Sequence, residues 1–476
     1  MSNNHAICRA IINSIPETAV FAEPPKLQEI YIPPAHEKSL KLYSNLIIGA
    51  RGVGKSFWTL ALAEEEIRHL LRTRISELEN TIVRIGFAVK DDPSSYPTAE
   101  TFIRLLKKKY KPYEIWQAIV SRWLVSETDE SMPTQDWEAS TVWARENPEP
   151  WARILQKANA SFKLKNRNGL IIFDALDRTG NNWKDMNEIV RALLILVLRL
   201  KSYTNIHAKV FLREDQFSPS VTDFPDASKL LATKTELTWQ QTDLHGLLWQ
   251  LFCNTSGKNG DILRMIYQDC TGKRPSNHDG IWFLDDEIRW NIEKQRRLFE
   301  KLAGPWMGKD KRRGVPYVWS VSHLADGNGR VSPRSFQIAI RTAAEDSLMK
   351  KGEYPLHYEC IKKGVQEASQ NRIEEIQEDR PWVSELMVPL QKLIVPLDFS
   401  IIEKQWETRF PNGFQYDYET KKCLPPPNIE KSWIGIKSDL IGLGIFTGLQ
   451  DGRINMPDLY RVGFKLGRKG GVKPVK

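Results

Sequence analysis

Apolar residues recur along this chain in two rhythms, and the changes between them mark its elements. Leu46-Ile47-Ile48 is a short apolar run ending in Gly49 and reads as a strand. From Phe57 to about Ser76, Leu60, Leu62, Ile67, Leu70 and Leu71 fall near helical spacing among acids and arginines, which predicts one helix. Ile82-Val83-Arg84-Ile85-Gly86-Phe87-Ala88-Val89 reads as a second strand. Leu170-Ile171-Ile172-Phe173 is uninterrupted, as a strand buried on both faces should be. A helix carrying Ile189, Val190, Leu193, Leu194, Leu196, Val197 and Leu200 follows, then a strand at Ala208-Lys209-Val210-Phe211-Leu212. Thr235-Glu236-Leu237-Thr238-Trp239 reads as the last strand. Strands alternating with helices predict an α/β fold, a parallel sheet covered on both sides.

Around this core the texture changes. Residues 1–40 show little periodicity and two proline pairs, Pro24-Pro25 and Pro33-Pro34, so they read as an extended lead-in to a core over 41–240. Within that core, residues 91–165 place Trp116, Trp123, Trp137, Trp143 and Trp151 on helical stretches. This predicts a helical insertion with its own small core, or alternatively a partner-recognition surface, where tryptophan is enriched. Helices dominate 241–365, a helical lid over the sheet. Residues 366–476 mix short helices with a hairpin, Ile445-Phe446-Thr447 and Arg453-Ile454-Asn455, turning at Asp451-Gly452.

Length and charge refine the picture. A chain of 476 residues exceeds what one core usually covers, so two or three domains are expected. The formal net charge is +9, which permits nucleic-acid contact without establishing it. Its most single-signed stretch is the C-terminus, where Arg461, Lys465, Arg468, Lys469, Lys473 and Lys476 occur with no acid. Cys8, Cys253, Cys270, Cys360 and Cys423 are scattered, which argues against a disulfide framework or structural zinc and for buried thiols in a reducing cytoplasm. No window holds the roughly 18 apolar residues that would span a bilayer, so no membrane partner is expected. The N-terminus lacks the pattern of a signal peptide.

The chemistry concentrates at Gly49-Ala50-Arg51-Gly52-Val53-Gly54-Lys55-Ser56. Bound phosphate needs backbone N–H groups aimed at its oxygens, the positive end of a helix dipole and one fixed cation, and G-x-x-x-x-G-K-[ST] between a strand and a helix supplies all three. The loop through Phe57 is expected to cradle ATP, with Lys55 bridging the β- and γ-phosphates and the Ser56 hydroxyl ligating Mg²⁺. Asp174, directly after the buried strand, fits the carboxylate that holds the magnesium shell, through a water. Asp177 is the next acid and is either a general base for water or a helix cap. Arg213, at the end of the following strand, would touch the γ-phosphate or pair with Glu214, Asp215 or Asp177. Arg334, in Ser332-Pro333-Arg334-Ser335-Phe336, would let the lid respond to nucleotide, with Arg330 competing for that role. His207, His245 and His323 are isolated and read as structural.

The order of these parts, with Asp174-Ala175-Leu176-Asp177, Phe211-Leu212-Arg213-Glu214-Asp215 and Pro333-Arg334-Ser335-Phe336, resembles bacterial P-loop ATPases between the STAND signalling ATPases and the origin-recognition-like AAA+ proteins. A further stretch, Leu443-Gly444-Ile445 through Arg468-Lys469-Gly470-Gly471, looks like the end of a winged-helix domain. The resemblance implies a P-loop NTPase sheet with a helical lid and a C-terminal winged helix over 366–476, arranged according to an ATP–Mg²⁺ switch. It departs from ring-forming relatives at Ala175, where many carry a glutamate. Relatives commonly occur in anti-phage conflict systems beside a nuclease or other effector, which implies a regulatory ATPase in a homo- or hetero-oligomer with such a partner. The alternative is a DNA-binding initiator or loader that uses the winged helix and the basic C-terminus.

Overall fold

The computed structural model describes residues 3–16, 23–180, 182–417, 423–470 and 472–474. The chain divides into two compact units, one comprising Val20–Leu27 and Pro34–Thr238, the other Met1–Ala19, Gln28–Pro33 and Trp239–Lys476.

The first unit is built on a five-stranded sheet of β1 (Leu46–Gly49), β2 (Thr81–Phe87), β3 (Asn168–Phe173), β4 (Ile206–Arg213) and β5 (Thr235–Glu236). The order is β2-β3-β4-β1-β5 and every pairing is parallel. Each expected strand is therefore present, and β4 lies between β1 and β3. Leu170, Ile171, Ile172 and Phe173 are fully buried, as their unbroken run required.

One helix became two. The stretch after the loop folds as Lys55–Ala63 and Glu65–Leu71, separated by Glu64 in an extended conformation. Acids at the start of the second helix favour its N-terminal dipole end. Arg68 then donates to the carbonyls of Leu62 and Ala63, both at 2.8 Å, and so satisfies groups orphaned where the first helix stops.

The tryptophans of 91–165 are mainly core. Trp116 and Trp151 are fully buried, Trp123 and Trp137 nearly so, and Trp143 is half-buried. The core is shared with the sheet rather than private. The Trp116 ring meets Phe173 edge-on at 5.4 Å and Phe87 at 5.9 Å, and its indole N–H donates to the Ile189 carbonyl at 3.1 Å. Four helices, Ala99–Lys107, Pro112–Val125, Trp137–Glu146 and Pro148–Leu164, make the crossover from β2 to β3.

β4 also carries a fully buried cation. The Lys209 ammonium donates to the carbonyls of Ser39 at 2.8 Å, Lys41 at 3.0 Å and Ser44 at 2.8 Å. Burial lowers it from 10.5 to about 7. Three carbonyls replace its hydration shell and fasten the segment before β1 to the middle of the sheet.

The second unit is mainly helical. Its first element corrects the expectation of an extended lead-in, because Asn3–Ser14 is a helix that buries Ile7, Cys8, Ala10 and Ile11. It packs on the helices Gly257–Thr271 and Pro333–Ser347, and Arg341 donates to the Ile12 carbonyl at 3.0 Å. Pro34–Leu40, in the first unit, is likewise helical. Within 241–365 the chain adds an unforeseen hairpin, Ser276–His278 with Ile281–Phe283.

The C-terminal part has a winged-helix arrangement. The helices Pro381–Met387, Phe399–Arg409 and Ser432–Gly442 precede a hairpin of Thr447–Gly448 and Ile454–Asn455, with Gly452 at φ 85° in its turn. Gly467–Arg468 pairs in parallel with Ile394–Val395. Trp406 centres this core, 5.3 Å from the Trp433 ring and stacked 6.3 Å from Phe446.

The basic C-terminus is partly internal. Arg461 is fully buried and donates to Asp458 Oδ1 at 2.9 and 2.7 Å and to the carbonyls of Leu466 at 3.0 Å and Val472 at 2.5 Å. His323 Nδ1 lies 2.7 Å from the other Asp458 oxygen. Lys465, Lys469 and Lys473 stay exposed, and Lys476 lies outside the described residues.

Burial opposes ionisation of Asp458, but the bond from His323 and the Arg461 guanidinium bring it from 3.8 down to about 2. Its folded value is below its unfolded one, so the stabilisation is complete above about pH 4 and is lost as pH falls toward 2. Asp458→Asn is expected to cost about 3–5 kcal/mol at neutral pH, because Arg461 is left buried without its carboxylate. Urea unfolding of both proteins at pH 7 and pH 3 should show that difference shrinking at the lower pH.

Candidate nucleotide site

The site starts from the turn at the end of β1. Gly49 is the register partner of Arg213 on β4, and a Cβ at Gly49 would meet Val53 Cγ2 at 2.7 Å, so a side chain there would force the loop open. Gly54 caps the following helix at φ 104°, a left-handed conformation that glycine adopts without strain. The amides of Lys55, Ser56 and Phe57 then begin Lys55–Ala63, where helical N–H groups lack intrahelical partners and the dipole is positive. Val53 is buried, while Ala50, Arg51 and Gly52 form the half-buried crest of the loop.

Lys55 bends back over this loop. Its ammonium donates to the carbonyls of Gly49 at 2.9 Å and Ala50 at 2.8 Å. Burial lowers it from 10.5 to about 8, Asp174 opposing that shift and Arg213 adding to it. An ammonium held by two neutral carbonyls is short of counter-charge, and a phosphate would supply it.

β3 ends beside the loop. The Asp174 amide extends the sheet by donating to Phe87 O at 2.9 Å, and its buried carboxylate accepts the Ser56 hydroxyl at 2.6 Å. Burial pushes this carboxyl above its ordinary value, while the Ser56 bond and Lys55 oppose the rise. A hydroxyl and a carboxylate at this separation form a hard oxygen donor pair that would suit a divalent cation such as Mg²⁺.

Past Asp174, Ala175 adopts φ 55° and turns the chain into the short helical turn Leu176–Arg178. Asp177 does not cap the next helix; Asn182 does, accepting the Asp185 amide at 2.9 Å. Asp177 instead lies 3.3 Å from Arg213 Nη1, and Asp215 lies 3.5 Å from Arg213 Nε. The ion-pair alternative for Arg213 is thus the arrangement present. One oxygen of the Asp177 carboxylate is thus occupied by the Arg213 guanidinium.

The structure gathers Gly49 to Ser56, Asp174, Asp177 and Arg213 in one unit. Arg334 belongs to the other unit, at the start of Pro333–Ser347, and donates to Glu375 at 2.8 Å. Arg330 uses its backbone N–H to bond Asp326 at 2.9 Å. Asp215, one of the three expected partners, shares Arg213; sequence reasoning missed the buried Trp58 on the loop helix and its partner His36. Lys209 had a visible signal, a charge inside an apolar strand; His36 had none.

Because a phosphate would bind the ammonium form of Lys55, affinity for ATP–Mg²⁺ should be nearly flat up to about pH 8 and fall above it, approaching tenfold per pH unit. Calorimetric titration from pH 7 to pH 10 measures this, and Lys55→Arg should remove the fall.

No family model matches the chain, and no curated protein matches it in sequence. Among solved structures it is similar to the Aeropyrum pernix ORC1 protein in complex with DNA, at 12% identity over 87% of this chain and 83% of that one, with a TM-score of 0.32. It is also similar to the Aeropyrum pernix ORC2 protein in its ADPNP–ADP complexes, at 13% identity over 90% and 92% of the two chains, with a TM-score of 0.40.

Proposed function

We propose that this chain is a nucleotide-gated ATPase of the AAA+ type that acts on duplex DNA. The observation that carries the reading is the meeting of the Gly49–Ser56 loop, Asp174 and Arg213 at one edge of a parallel sheet, with the Ser56 hydroxyl 2.6 Å from Asp174. The loop amides and Lys55 would hold the β- and γ-phosphates, and Ser56 and Asp174 would hold Mg²⁺, which when bound offsets phosphate charge. Arg213 would transfer from Asp177 to the γ-phosphate, freeing Asp177 to accept a proton from the attacking water. Arg334 would be the residue of the second unit that senses nucleotide.

The DNA part of the proposal rests on the winged-helix arrangement and the acid-free C-terminus. With Arg461 neutralised internally, the exposed cations are Lys465, Arg468, Lys469 and Lys473. An effector or nuclease partner, within a homo- or hetero-oligomer of an anti-phage system, is the alternative output, and it rests on resemblance alone.

Lys55→Ala should weaken ATP binding by about 100-fold or more, the scale on which removal of a buried charged partner acts. Asp174→Asn should abolish phosphate release; retained turnover in that variant would sink the site assignment. For DNA, deletion of the C-terminus would unseat the packed Val472 and the Gly467–Arg468 strand, so substitution is the cleaner probe. Lys465→Gln, Lys469→Gln and Lys473→Gln together should reduce the slope of log affinity against log salt by about 3, at roughly 0.9 for each phosphate no longer neutralised. An unchanged slope would shift the weight to a protein partner.

A further inference from the structure

Behind the phosphate loop lies a buried chain of hydrogen bonds that nucleotide chemistry does not use. Trp58, on the helix begun by Lys55 and Ser56, is 1% exposed, and its indole N–H donates to His36 Nδ1 at 3.0 Å. His36 is fully buried, and its Nε2 lies 3.0 Å from the Thr238 carbonyl. Because Nδ1 accepts from Trp58, the ring proton sits on Nε2 and is donated to Thr238. Burial lowers His36 from 6.5 to about 3, so this neutral form persists throughout the physiological range.

The position of the imidazole gives these bonds their interest. His36 lies just after the point where the chain re-enters the sheet unit, at Pro33 and Pro34, and Thr238 is the last residue before it leaves. One ring thus ties the entry and exit of the sheet unit to the phosphate-loop helix. Both strands of the connection are otherwise held. The segment after His36 is fastened to β4 by Lys209 through Ser39, Lys41 and Ser44, and Leu237 donates its amide to Ile48 on β1 at 2.9 Å. The Lys55–Ala63 helix is thus hydrogen-bonded, through Trp58 and His36, to both connections.

We propose that His36 is the coupling residue that passes the nucleotide state of the phosphate loop to the second unit. The inference rests on the nucleotide-binding reading above. It assigns His36 and Trp58 a positioning role, without contact to the nucleotide.

The test uses full-length protein and three variants, His36→Phe, His36→Gln and the milder Trp58→Phe. Each is assayed for thermal stability, for ATP–Mg²⁺ and ADP affinity, and for amide exchange at residues 28–34 and 239–254 with either nucleotide. Wild type should show exchange rates there that differ between ATP and ADP by about fivefold or more, the low end of typical coupling between sites. Trp58→Phe and His36→Phe should keep ATP affinity within about threefold while that difference collapses, and His36→Gln, which keeps a donor for Thr238, should recover part of it.

Exchange that still responds to nucleotide in Trp58→Phe and His36→Phe would overturn the proposal. So would a joint fall of stability and affinity with the response intact, the signature of a purely structural histidine. A wild type that binds ATP yet shows no exchange difference would defeat the coupling alone. A wild type that binds no nucleotide would defeat the function reading, and this inference with it.

Discussion

Everything at the candidate site depends on β4 lying between β1 and β3 in a parallel sheet. Parallel strands end on the same edge, so the loop after β1, the acid after β3 and the arginine closing β4 are delivered together without any direct attraction among them. The register makes this concrete, since Gly49 is paired with Arg213 while β3 is paired with β4 only as far as Phe173 and Val210. Asp174 lies past the pairing with β4, its amide still bonded to Phe87 on β2 and its carboxylate accepting from Ser56. The Trp116 layer has the same dependence, because its packing on Phe173 and Phe87 fixes the ends of β3 and β2.

Several buried charges among the described residues have their hydration replaced by protein groups. Lys209 is met by three carbonyls and Arg461 by Asp458 and two carbonyls. Glu375 accepts from Arg334 at 2.8 Å and Arg372 at 3.0 Å. Lys55, like Lys209, is met by carbonyls, two against three, and burial holds it near 8. What suits Lys55 to receive an anion is its place, at the start of the Lys55–Ala63 helix directly after the Gly49–Gly54 turn.

The C-terminus shows why a count of charges is a poor map of a surface. Arg461 sits at the centre of a buried cluster with Asp458 and His323, whereas Lys465, Lys469 and Lys473 alternate with the buried Leu466 and Val472 and face solvent. The same stretch closes the fold of its unit and offers the cations on which the DNA proposal rests.

The sequence by itself determined the elements whose signals are local. A strand buried on both faces must be apolar throughout, and a phosphate-binding turn must place glycines, lysine and a hydroxyl at fixed spacing, so β1, β3, the loop and Asp174 could be located without a structure. The Asp451-Gly452 turn was legible for the same reason. Tertiary structure alone decided what depends on distant partners. The break at Glu64 relies on Arg68 as a cap, and the helix Asn3–Ser14, too short to be stable alone, exists because other helices cover its apolar face. Whether Arg213 meets Asp177 or a phosphate, whether Arg461 faces water, and whether His36 is an isolated histidine or a link between Trp58 and Thr238 are questions of three-dimensional proximity. No spacing along the chain encodes that proximity, because the residues involved are brought together only when the sheet and its helices have packed.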